Sequence, residues 1–254
     1  MTDTTPRQRA RLETEAQITT IGNRMVDEDG VEGLSLRAIA RELGVVSSAV
    51  YRYVRSRDEL LTVLIRDAFN RVADDVDAAL AKDRNVETLA LAMLDWSRRF
   101  PNRWTLIYGT PVADYEAPRE ETVVPGTRIM VALAQLVAER DGGRAGGSGA
   151  EQSPVKDESA VQRAVAAQDA GAAQDAEAAQ DAEVAHGAGS ALKPLREGLE
   201  ELGLDCSDGV IMRTMTIWVA IIGLVNGLRF GQFGPGFDGL EDDLMRGVIG
   251  NLGE

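Results

Sequence analysis

Outside one segment, apolar residues return every third or fourth position, and no stretch alternates apolar with polar as a strand on a sheet would. The clearest run is Leu60, Leu61, Leu64, Ile65, Ala68, Phe69, Val72, Val76 and Leu80, one face of a helix of about six turns. The strong helix formers Ala, Leu, Glu and Arg dominate. The chain reads as all-α, and 254 residues at 44% hydrophobic content suffice for a core in one or two domains.

The rarest residues exclude most chemistry. One cysteine, Cys206, rules out a disulfide framework or a cysteine-based zinc cluster, and one histidine, His186, leaves little for metal binding or acid–base catalysis. No metal and no cofactor is expected. The opening MTDTTPRQRARLETEAQ has no apolar segment behind its arginines, so it does not read as a secretory signal. The longest uncharged apolar run, Thr214 to Leu228, is shorter than the roughly 18 to 20 residues of a bilayer span. The expectation is a cytoplasmic chain without membrane contact.

A net charge of −14 taken whole argues against a nucleic-acid partner, because phosphate polymers are held mainly by cations. Its distribution reverses that inference. Residues 1–57 carry nine arginines against eight acids, so the deficit lies in the rest of the chain. Within Ser35–Arg57, Arg37, Arg41, Arg52, Arg55 and Arg57 face the single acid Glu42. This is a compact basic cluster in an acidic protein.

Local signals divide the chain. Ile18, Ile21, Gly22, Met25 and Val26 form the stripe of a first helix that stops near Gly30. Ser35 can cap a short second helix ended by Gly44, and Ser47 and Ser48 open a third, SAVYRYV. Ser56-Arg57-Asp58-Glu59 has capping-box spacing at the head of the long helix. Val86–Phe100 reads as a helix broken by Pro101, Trp104–Tyr108 as a short one, Tyr115–Pro125 as irregular, and Gly126–Arg140 as helical again. Asp141–Ser190 then holds GGRAGGSG and an imperfect hexamer, AAQDAG, AAQDAE, AAQDAE, from Ala166 to Glu183. Six residues advance about 600° around a helix, so the repeated Asp leaves no apolar stripe and the segment reads as a low-complexity insertion. Order resumes with Leu192–Leu204 and the apolar helix Val210–Phe230.

Leu34–Val54, LSLRAIARELGVVSSAVYRYV, places two short helices either side of a glycine turn. That is the helix-turn-helix pattern, whose second helix fits the major groove. It is equally the pattern of a helical hairpin with a solvated basic face. Arginines can fork onto phosphate or guanine, tyrosine hydroxyls can reach phosphate, and small serines permit close approach.

Ile18–Phe69 resembles the DNA-binding domain of the TetR family of bacterial regulators. Gly30, Ser35-Leu36, Ile39-Ala40, Leu43-Gly44-Val45, Tyr51, Ser56-Arg57 and Leu60-Leu61 match the family pattern in register without a gap. The resemblance implies that Ser47, Ser48, Ala49, Tyr51, Arg52 and Tyr53 lie on the recognition helix, with Tyr51 and Arg57 at phosphate-binding positions. Arg37 joins them from the basic cluster. Val46, Ala49 and Val54 depart from the usual residues, and Val46 forgoes a cap of about 1 kcal/mol unless Ser47 supplies it. Trp104–Val112 and Trp218 with Ile222-Gly223 are similar, more loosely, to a family subgroup in which a histidine stands where this chain has Ile222.

The expected architecture is an N-terminal helix-turn-helix domain, 1–57, and a helical-bundle effector-binding and dimerisation domain, 58–254, interrupted at 141–190. By resemblance the chain is a homodimeric repressor on palindromic double-stranded DNA, released by a small-molecule effector. Val210–Phe230 is apolar on nearly all sides, which for a terminal helix implies a partner subunit. Gly223 and Gly227 could admit another helix there or ease packing within one chain. Trp96, Phe100, Trp104, Tyr108, Tyr115, Met212, Met215 and Trp218 could line an apolar pocket or be plain core; Asn226 and Arg229 could orient a ligand. The rivals are an all-α enzyme, which no nucleophile–base pair or phosphate loop supports, and a helical interaction or small-molecule-binding module without DNA contact.

Overall fold

The computed structural model describes residues 5–109, 112–144, 187–201 and 204–253, and among these it is all-α. The elements are α1 (Pro6–Asp29), a 3-10 turn (Val31–Gly33), α2 (Leu36–Glu42), α3 (Ser47–Val50), α4 (Arg57–Leu80), α5 (Val86–Arg99), α6 (Pro101–Tyr108) and α7 (Arg119–Arg144), followed by α8 (Gly187–Glu201), α9 (Asp208–Arg229) and α10 (Glu241–Asn251). The hexamer repeat, His186 and most of the 141–190 insertion lie outside the described residues.

Two compact units emerge, residues 1–72 with 95–118 and residues 73–94 with 119–254. The first is built around Ile18, Ile21 and Val26 of α1, Leu36, Ile39 and Ala40 of α2, Val50, Val54, and Leu60, Leu61 and Leu64 of α4. Gly22 permits the close approach of α1 to α4, since a Cβ there would stand 3.1 and 3.2 Å from the two Leu64 δ-carbons. α1 ends at Gly30, whose φ of 70° suits a residue without a Cβ.

In the second unit Val76, Leu80, Leu89, Met93, Leu133, Val137, Ile217, Ile221, Val225, Met245 and Ile249 are buried. Arg128 of α7 bridges Asp74 and Asp77 of α4 at 2.9 and 2.7 Å. Helix α7 begins at Arg119, earlier than the irregular stretch to Pro125 predicts. Pro125 sits inside it, in the second turn. The ring removes the N–H that would reach the carbonyl of residue 121, but Glu120 and Glu121 suit the positive helix end. Burial of Ile129, Leu133, Leu136 and Val137 then outweighs the local cost.

Helix α9 buries Val210, Ile211, Thr214, Ile217, Ile221, Leu224 and Val225 along one side, and Gly227 away from that stripe. It is, among the described residues, the one helix long and apolar enough to cross a membrane by length and composition. The run counted above was too short because it stopped at Arg213 and Arg229. Of its two glycines, Gly227 accommodates the Phe233 ring of the same unit, whereas a Cβ on Gly223 would meet nothing within 4 Å.

Candidate nucleic-acid interface and aromatic core

The helix-turn-helix forms from local signals. Ser35 Oγ accepts the Ala38 N–H at 3.3 Å and starts α2; Gly44, at φ 68°, turns the chain; and Val45 N–H donates to Ala40 O at 3.0 Å. Helix α3 is shorter than the sequence predicts. It covers Ser47–Val50 behind Val46, with no side-chain cap, so Ser47 does not replace the missing one. Arg52 N–H to Ala49 O and Tyr53 N–H to Val50 O then close three-residue turns, so Tyr51, Arg52 and Tyr53 follow the helix instead of lying within it.

Val50 and Val54, four apart, point inward and are buried, which turns the flanking positions out. Ser48, Arg52 and Arg37 are exposed, Ser47 and Ala49 half-buried, and Tyr51 is 44% exposed. Tyr53 packs partly against the core. Arg57 is exposed, but a terminal guanidinium nitrogen donates to Val31 O at 2.7 Å, so it also fastens α4 to the turn after α1. Ser56 Oγ caps α4 through the Glu59 N–H at 3.0 Å; the Glu59 carboxylate returns to the Arg55 N–H, one residue earlier than a capping box requires.

The same unit holds five of the eight candidate pocket residues. Pro101 opens α6 directly after α5, and because Phe100 N–H still donates to Trp96 O and Trp104 N–H to Phe100 O, both at 2.9 Å, Trp96, Phe100, Trp104 and Tyr108 keep their four-residue spacing and pack ring against ring. Ring centroids lie 5.4 Å apart for Trp96–Phe100, 6.4 Å for Trp96–Trp104 and 4.6 Å for Trp104–Tyr108, and Phe69 of α4 meets Tyr108 edge-on at 5.7 Å. Tyr115 joins through a 2.9 Å hydrogen bond between its hydroxyl and that of Thr62 on α4. Trp96 and Trp104 are fully buried, and burial pushes the Tyr108 phenol well above its ordinary range. Trp96 Nε1 is buried without a hydrogen-bond partner among the described residues. Met215, Trp218 and Asn226 lie on α9 in the second unit, Met215 exposed and the other two half-buried.

Two features escape sequence reasoning. Val45 and Val46, 44% and 70% exposed, present bare apolar side chains at the start of the recognition element. Arg103 of α6 is buried and grips Asp27 of α1, while its guanidinium lies 4.8 Å from the Phe100 ring centroid. A buried arginine needs a partner, but nothing local identifies an aspartate in another helix.

Comparison with known proteins places these elements. Residues 18–64 match the family model described as bacterial regulatory proteins, tetR family, and residues 86–251 match the Tetracyclin repressor-like C-terminal domain. The chain is 34% identical over 234 residues to the HTH-type transcriptional regulator Rv1816 of Mycobacterium tuberculosis, covering 90% of this chain and 86% of that one. It is 32% identical over 59 residues, 23% of this chain and 32% of the relative, to the HTH-type transcriptional regulator SAB2452 of Staphylococcus aureus. The crystal structure of SCO4313, described as a regulatory protein, aligns with TM-score 0.66 and 27% identity over 97% of this chain and all of that one. A Rhodococcus protein of unknown function shares the fold, with TM-score 0.58 and 17% identity over 94% and 93% of the two chains. The chain therefore belongs to the TetR family, and is a helix-turn-helix DNA-binding transcriptional regulator and not an enzyme.

Proposed function

We propose that this regulator is a cytoplasmic homodimeric repressor that leaves an inverted-repeat operator when a small apolar or amphipathic molecule binds. DNA recognition resides in residues 1–57 and effector binding and dimerisation in 58–254. Ser47, Ser48, Ala49 and Arg52 read or approach bases, while Tyr51, Arg57 and Arg37 hold phosphates and Tyr53 braces the element. The effector enters among Trp96, Phe100, Trp104, Tyr108 and Tyr115 of the first unit.

The observation that carries this reading is that the aromatic core and the DNA-reading head share one compact unit. Tyr108 touches Phe69 and Tyr115 bonds Thr62, both on α4, and Arg103 holds Asp27 on α1. A ligand that displaced these rings would act directly on the helices that carry the recognition element. It can shift DNA affinity only by its differential affinity for the two arrangements, about 1 to 3 kcal/mol for such couplings. Trp96 Nε1 is the donor that an acceptor on the ligand would meet.

The test is titration of the purified chain onto its own upstream DNA, followed by a thermal-shift screen of apolar compounds. Hits should weaken operator binding, and operator should weaken each hit by the same factor. Equal ligand affinity with and without operator rejects ligand release, and a ligand indifferent to Trp104→Phe and Trp96→Phe rejects the placement of the pocket.

A further inference from the structure

Between Ile18 and Leu64, the span that matches the family's DNA-binding model, the exposed large apolar side chains are Val45, Val46 and Tyr51, all within seven consecutive residues of the helix-turn-helix. Val46 is the most exposed large apolar side chain among the described residues. Four positions before the buried Val50, a helical Val46 would fall on the inward stripe of α3. Its extended backbone, with ψ 145°, takes it off that stripe and leaves it 70% exposed. The position is costly twice over. Valine offers no oxygen to cap α3, and no other side chain caps it instead; the γ-methyl groups meanwhile stand in water. Local rules broken in this way concentrate at functional sites.

The surroundings specify the partner. Arg37, Arg41, Arg52 and Arg55 of the same helix-turn-helix are exposed, so the bare valine belongs to a basic surface. A duplex meets such a surface with phosphates, which suit arginine and which a valine cannot bind. In the major groove adenine, guanine and cytosine present donors and acceptors alone, and thymine adds a C5-methyl group. Valine pressed against a polar base edge would strip water from groups that it cannot pair. Against the methyl group it removes apolar surface of both partners from water. One side chain thus discriminates by attraction at thymine and by penalty at the other bases.

We propose that Val46 is a specificity-determining residue that reads one thymine in each half-site, by packing its γ-methyl groups on the C5-methyl group in the major groove. Ser47, Ser48 and Arg52 bring hydrogen-bonding groups to the bases; Val46 adds an apolar contact that none of them can make. The inference rests on the proposed reading of bases by this element.

The test starts from duplexes that the full chain selects from a random pool. Affinity is then measured by fluorescence anisotropy after each thymine in turn is replaced by deoxyuridine, which lacks only the methyl group. At one thymine of each half-site the loss should be about fourfold, and about fifteenfold when both are replaced, as expected of one and two buried methyl groups. Cytosine at that position should bind more weakly still, and 5-methylcytosine should regain about fourfold over cytosine. Val46→Ser and Val46→Ala should bind the thymine duplex about as weakly as the unaltered chain binds the doubly replaced one, and deoxyuridine should weaken them no further. Val46→Ile, which keeps the branched side chain, should remain sensitive to the methyl group. The replaced side chain already stands in water, so the melting temperatures of the serine and alanine variants should not fall. Deoxyuridine without effect at every thymine overturns the proposal. So does an equal deoxyuridine loss in the unaltered and Val46→Ser chains, which would assign the methyl group to another residue. A chain that selects no sequence from the pool would instead reject base reading by the recognition element as a whole.

Discussion

Asp27 and Arg103, 76 positions apart, meet as a two-pronged ion pair, Nε to Oδ1 at 2.7 Å and a terminal nitrogen to Oδ2 at 2.5 Å. Asn102 adds a 3.0 Å hydrogen bond to the Asp27 carbonyl, so α6 holds both side chain and backbone near the end of α1. The partners are unequally exposed, 10% for the Arg103 side chain and 32% for Asp27.

That inequality predicts an order. Asp27→Ala strands a buried guanidinium and should cost about 3 kcal/mol. Arg103→Ala leaves a carboxylate that water can reach and should cost about 2 kcal/mol, part of it lost packing on Phe100. Urea denaturation of the two variants measures the order. The reverse order would mean that the stack on Phe100 outweighs the charge.

Gly44 joins α2 to the recognition element at φ 68°, and a Cβ there would touch nothing within 4 Å. The cost of Gly44→Ala is therefore conformational alone, about 1 kcal/mol, and Gly44→Asn should cost less because asparagine tolerates the left-handed region. Equal denaturation midpoints for Gly44→Ala and the unaltered chain would show that the turn relaxes.

What the sequence disclosed was what is held by neighbours along the chain. Ser35, Gly30 and Gly44 act on residues within four positions of themselves, so the helix-turn-helix could be read directly. The end of α3 could not: SAVYRYV has helical spacing throughout, but the uncapped Val46 start leaves only one regular turn before Tyr51. The start of α7 was hidden because Pro125 speaks against a helix that distant burial favours. Of the candidate pocket, the α5–α6 aromatics were legible from spacing and from Pro101. Their anchors were not, since Thr62 lies 53 positions from Tyr115 and Asp27 lies 76 from Arg103.

Cys206 is 4% exposed, and burial, with Asp205 beside it, pushes its thiol above the ordinary cysteine range. Only the thiolate reacts, so raising the folded pKa lowers the reactive fraction near neutral pH. Labelling by an aromatic disulfide reagent at pH 7.5 should be at least tenfold slower than in urea. A native rate equal to the unfolded rate would mean that the segment before α9 opens freely.

The outer side of α9 carries Met212, Met215, Val219, Gly223, Asn226 and Phe230 at steps of three and four, a single stripe opposite its buried face. Val219 is 65% exposed, Phe230 47%, Met212 45% and Met215 36%, more apolar surface in one line than scattered exposure accounts for. A second copy brought up by a twofold axis would cover the stripe with itself, and Gly223, bare on that side, would let the helices approach. Val219→Glu should then leave the fold of each chain intact, because the side chain already stands in water, but place two like charges together in the dimer. Gly223→Leu should act similarly by bulk. Sedimentation should give a dimer for the unaltered chain at micromolar concentration and at least a hundredfold weaker association for Val219→Glu. Each monomer would present one recognition element, so the variant should lose affinity for an inverted repeat far more than for a single half-site. A monomeric unaltered chain, or a Val219→Glu chain that still dimerises, would remove α9 from the interface.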